Sequence, residues 1–137
     1  MNVTLSGGAW EQSTLPVANG GIGVRRATDV ALPAYLSSVT GSHALVIQLL
    51  PQALHEVAGI NEPNFTAALN EWQRRAGVTS VQQPLPTAQK VWDAPLVKAQ
   101  EAKVSAAASD QAGKARLTAA SAPHSGAFLH ARPCASL

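Results

Sequence analysis

Leu15-Pro16-Val17-Ala18-Asn19-Gly20-Gly21-Ile22-Gly23-Val24-Arg25-Arg26 divides an extended start from a helical remainder, and its reading decides how the chain is organised. Three glycines in four residues mark backbone that bends sharply or approaches something closely. A Gly-rich turn before a helix invites comparison with a phosphate loop. A dinucleotide fingerprint needs a third glycine where Arg26 stands, and no Gly-Lys-Ser/Thr follows, so neither phosphate motif is present. If the chain meets a nucleic-acid backbone, the amides of Gly20, Gly21 and Gly23, flanked by Arg25 and Arg26, are the place for it. A tight strand-to-helix turn accounts for the same glycines.

Toward the N-terminus, residues 2–14 read as a β-hairpin. Asn2-Val3-Thr4-Leu5 and Ala9-Trp10-Glu11-Gln12-Ser13-Thr14 alternate in character across the turn Ser6-Gly7-Gly8. Toward the C-terminus the pattern turns helical. Thr28 or Asp29 can cap a helix through Val39, Gly41-Ser42 ends it, and Ser42 caps a second helix from His43 to about Leu50, stopped by Pro51. The clearest helix is 64–76, where Phe65, Ala68, Leu69, Trp72 and Ala76 form one apolar stripe. Asn61 or Asn64 caps it, Pro63 suits its first turn and Gly77 its end. Glu71 with Arg74 or Arg75 lies on its wet side. A Pro-bounded connector follows, then a short helix from Thr87 to Trp92, a longer one capped by Asp93, and a last one from Gln111 to about Ala120 capped by Asp110. The fold expected is therefore mainly α: an N-terminal β-hairpin, then an irregular bundle of five or six short helices. Three segments follow from it: 1–24, hairpin and Gly-rich turn; 25–122, helical; 123–137, irregular tail.

The 137 residues suffice for one domain, but 26 of the apolar residues are Ala, and the six aromatics are a thin supply for a core. Trp72 and Trp92 read as core residues and Trp10 as hairpin packing. The formal charge of +2 makes no electrostatic funnel for nucleic acid, and Arg25-Arg26 and Arg74-Arg75 are the basic doublets. A single cysteine, Cys134, excludes an internal disulfide. No basic segment leads into an apolar run at the N-terminus, and the greasy stretch 44–50 is too short to span a bilayer. These features predict a soluble, intracellular chain with no membrane partner, nuclear and cytoplasmic addresses being unresolved.

Four segments carry a family resemblance. The Leu15–Arg25 element is similar to a Leu-Pro…Gly-Gly-Leu/Ile-Gly-Ile/Val-Arg element just beyond the polymerase palm in reverse-transcriptase-like proteins of non-LTR retroelements. Ala31-Leu32-Pro33-Ala34-Tyr35-Leu36-Ser37-Ser38, Trp92-Asp93-Ala94-Pro95-Leu96 and the block from Ser121-Ala122-Pro123-His124-Ser125-Gly126 to Ala131 resemble later segments of that family, in the same order. The resemblance implies a thumb-like or connector fragment that grips a template–primer duplex by phosphate contacts, with Arg25, Arg26, Arg74 and Arg75 as candidates. Its partners would be an RNA/DNA duplex backbone or the polymerase domain such a fragment lacks.

No catalysis is expected. The family's polymerase centre needs paired aspartates at a strand turn to hold two metal ions, whereas Asp29, Asp93 and Asp110 are scattered. His124, His130 and Cys134 do not match the spacing of paired metal ligands, and Ser125 beside His124 lacks an acidic orienter. Neither cofactor nor metal is implied. A second function class remains open: a small helical protein–protein interaction module, or a relic without a present task.

Overall fold

The computed structural model describes residue 4 and residues 6–108 and 110–126. The chain is mainly helical. Its α-helices are α1 (Gly7–Ser13), α2 (Ala27–Leu49), α3 (Pro63–Ala76), α4 (Gln89–Ala107) and α5 (Gln111–Ala120), with short 3-10 segments at Val17–Asn19, Gln52–Val57 and Gly59–Asn61. They fall into two compact units. One comprises residues 1–25 and 100–137, and the other residues 26–99.

The 26–99 unit is built on a core of Leu36 from α2, Phe65 and Trp72 from α3, and Trp92 from α4. Burying each such side chain contributes about 2–3 kcal/mol. Trp72 and Trp92 meet edge to face, with ring centroids 5.0 Å apart and planes at 84°, an arrangement favoured by the ring quadrupoles. Their polar handles are satisfied: Trp72 Nε1 donates to the Trp92 carbonyl at 2.8 Å, and Trp92 Nε1 to that of Pro86 at 2.7 Å. Helix α3 follows its sequence pattern, with Pro63 in the first turn and Gly77 at φ 67° closing it by donating to the Gln73 carbonyl. Its N-cap is Glu62, without a side-chain bond, so neither Asn61 nor Asn64 fills the expected capping role.

Two expected breaks do not occur. Helix α2 runs through Gly41-Ser42, where the hydroxyls find carbonyl acceptors: Ser42 Oγ donates to the Ser38 carbonyl at 2.8 Å and Thr40 Oγ1 to that of Pro86 at 2.6 Å. A hydroxyl satisfied in this way no longer competes to end the helix. Neither Thr28 nor Asp29 caps α2; Arg26 holds that position, and Asp29 lies in the first turn. Helix α4 likewise runs through Asp93 and Pro95. Each internal proline, Pro33 and Pro95, removes one backbone bond, a loss that tertiary packing outweighs in a long helix.

The 1–25/100–137 unit corrects the largest expectation. No β-strand occurs among the described residues, and the stretch read as a hairpin contains α1. Ser6 caps this helix, its Oγ accepting from the Ala9 amide at 3.3 Å. Ser13 and Thr14 return their hydroxyls to the carbonyls of Trp10 and Glu11 at 2.7 and 2.8 Å. The decisive contacts are tertiary. Thr14 is fully buried and accepts from Gln100 Nε2, while Asn19 Nδ2 donates to Glu101 Oε2 at 3.0 Å. Trp10, expected to pack within a hairpin, is 41% exposed. A methyl group built on Gly8 meets nothing within 4 Å. Gly8→Ala should therefore raise stability by roughly 0.5 kcal/mol, because alanine favours helix over glycine. A thermal melt checks this; a lowered midpoint would indicate that Gly8 occupies a turn.

Candidate functional site

The Gly-rich turn is closed upon itself. After the 3-10 turn Val17–Asn19, Gly20 adopts φ 81°. The Gly20, Gly21 and Gly23 amides donate to the carbonyls of Val17, Pro16 and Leu15 at 3.1, 3.2 and 3.0 Å, and those of Ile22 and Val24 both reach Ser13. Gln12 Nε2 donates to the Gly20 carbonyl at 3.1 Å. A phosphate cradle needs convergent amides with no other acceptor. Here the donors are already committed to backbone.

Gly20, Gly21, Gly23 and Arg25 belong to one unit, and Arg26, Arg74 and Arg75 to the other. Arg25 is half-buried and engaged. Arg26 Nε pairs with Asp29 Oδ2 at 2.8 Å. On the last turns of α3, Glu71 receives Arg74 through Nε and Nη2, both at 2.8 Å, and Arg75 through Nε at 2.6 Å. Arg75 Nη1 also donates to the Thr28 carbonyl at 3.3 Å. By sequence the 26–99 unit carries five basic and five acidic residues, so its net charge is zero. A phosphate must displace an existing carboxylate to reach most of these guanidinium groups.

Those hydrogen bonds, from Arg74 first and Arg75 second, bring the Glu71 carboxyl down from its ordinary 4.5 to about 2. A carboxyl with a lowered folded pKa supports the fold above its unfolded value and loses that support as pH falls through the folded one. The triad at the end of α3 should thus persist at pH 4 and come apart only as pH falls through about 2, while its support for the fold declines between about 4.5 and 2. A carbon-detected titration of the Glu71 carboxyl checks this, and added salt should bring its midpoint back toward 4.5 by screening.

A different feature stands out on the surface. Residues 30–55 contain no Asp, Glu, Lys or Arg. Within this run and just beyond it, Leu45, Leu49, Leu54 and Val57 are exposed, Leu49 to 75%. Helix α2 is long and apolar enough to cross a membrane, and only 11% of its most apolar window is buried. A core helix of that composition would be mostly covered. The signal was present in the sequence as an uncharged stretch of helical length, but dividing it at Gly41-Ser42 concealed it.

Among the described residues no group of three His, Cys, Asp or Glu side chains is placed to hold a metal ion. His124 sits in a turn at φ 67°. His130 and Cys134 lie outside the described residues, as does the end of the block from Ser121 to Ala131. No known protein family, curated protein or solved structure matches this chain.

Proposed function

We propose that the chain is a small, non-catalytic helical protein-interaction module whose contact surface is the uncharged apolar end of α2 and the 3-10 segment after it. The observation that carries this reading is the exposure of Leu45, Leu49, Leu54 and Val57 within a stretch almost free of charge. Apolar surface left in water is unfavourable by about 25 cal/mol per Å², and a contiguous patch of it marks an interaction site. Leu45 and Leu49, one helical turn apart, share a face, and a partner's apolar helix can lie along it.

A second reading, the retroelement fragment gripping a template–primer duplex, is favoured by the four resembling segments and their order. The committed amides of the Gly-rich turn and the carboxylate partners of Arg26, Arg74 and Arg75 weigh against it. The two readings respond oppositely to salt. Apolar association persists or strengthens in salt, whereas phosphate contacts weaken steeply.

Sedimentation of the full chain over a concentration series, in low and high salt, tests the proposal, with self-association as the readout of an adhesive surface. Association should survive high salt and disappear in the double variant Leu45→Gln/Leu49→Gln. Because both residues are exposed, that variant should change unfolding stability by less than about 0.5 kcal/mol per site. A monomer whose affinity for RNA/DNA hybrid collapses with salt would favour the second reading. Flotation with neutral lipid vesicles would assign the surface to a membrane and overturn the proposal.

A further inference from the structure

A cleft of about 660 Å³ opens in the 1–25/100–137 unit between α1, the last turns of α4 and α5. Val104, Ala107 and Leu117 are among the residues that form its apolar wall, and Lys103 and Arg116 line it from α4 and α5 respectively. Its size falls in the range of small-molecule sites. Among the described residues of this unit the large apolar buried side chains are Leu15 and Val104, and a second cavity of about 340 Å³ shares Val104 and Leu117 as lining. The alanines of α4 and α5 are too small to close the gap, so the wall lacks contacts that an occupant could supply.

Charge selects the occupant. Lys103 and Arg116 have no ion-pair partner among the described residues. The two carboxylates that also line the cleft are otherwise employed: Asp110 caps α5, accepting from the Gly113 amide at 3.0 Å, and Glu11 is itself engaged. By sequence this unit holds five basic and three acidic residues, the whole of the chain's positive excess. We infer that the cleft binds a small anionic amphiphile, an alkyl carboxylate whose chain lies on Val104, Ala107 and Leu117 and whose head meets Lys103 and Arg116. This site is separate from the α2 surface and does not depend on it.

Calorimetric titration of the full chain with decanoate, below its micelle threshold, tests the inference. Binding should be saturable with one equivalent and clearly tighter than that of decanol, which has the same chain without the charge. The double variant Lys103→Gln/Arg116→Gln should weaken it roughly tenfold or more, as expected for loss of charge-assisted hydrogen bonds. Both side chains are exposed, so the melting temperature of the unliganded double variant should match wild type. Ala107→Leu, a helix-compatible change that narrows the cleft at its apolar wall, should weaken binding, whereas Leu45→Gln/Leu49→Gln should leave it intact. Absence of saturable heat, equal affinity for decanol, undiminished binding by either cleft variant, or loss of binding in the α2 variant would each overturn the inference.

Discussion

Trp92→Ala should unfold much of the 26–99 unit, lowering its stability by about 3–5 kcal/mol. Trp92 is completely buried and is one of four side chains at the centre of that core. Its removal opens a large cavity, and the Trp72 ring loses its edge-to-face neighbour. It also removes one of the two donors to the Pro86 carbonyl, which takes the Trp92 indole proton at 2.7 Å and the Thr40 hydroxyl at 2.6 Å. Trp92→Phe separates the two effects: the ring is largely kept and the hydrogen bond lost, for an expected cost of about 1–3 kcal/mol. Urea unfolding followed by circular dichroism measures both. Losses below about 1 kcal/mol for the alanine variant would mean that Trp92 lies near the surface.

Gly21→Ala is the second large effect, and it falls on the other unit. A methyl group at Gly21 would lie 2.0 Å from the Leu15 carbonyl oxygen and 2.7 Å from that of Gln12. Both obstacles are backbone, so they cannot rotate away, and the chain must shift at a cost of about 3 kcal/mol. The shift would also break the amide bonds that close residues 13–24 into one turn. Gly23→Ala provides the contrast. Its φ of 77° disfavours a side chain, but the nearest atom would be 3.8 Å away, so only about 1 kcal/mol is expected. Amide hydrogen exchange in α1 and α5 should report the difference. Equal protection in the two variants would remove close backbone approach as the reason for Gly21.

The two substitutions mark what could and could not be read from the chain. Phe65, Ala68, Leu69 and Trp72 recur at helical spacing between Pro63 and Gly77, so α3 and its buried face were legible without coordinates. So was the pairing of Glu71 with Arg74 and Arg75, since three and four residues of separation bring side chains together on any helix. Asp110 as the cap of α5 was equally local. Residues 7–13 were misread because seven residues hold fewer than two helical turns, too few to distinguish a period of 3.6 from one of 2. Gly7-Gly8 then suggested a turn. The amides of the Gly-rich turn carry a related lesson: such donors look available in a sequence, and only coordinates show the carbonyls they bond.

Local pattern alone determined a helical chain, the buried stripe of α3 and the ion pairs that close it, because these depend on residues within one or two turns of each other. Tertiary structure alone decided that residues 7–13 are helical, that α2 continues past Gly41, and that Gly21 is sealed against Leu15. The first two rest on partners distant in sequence, Gln100 for Thr14 and Pro86 for Thr40, whose bonds tip elements that local preference leaves nearly balanced.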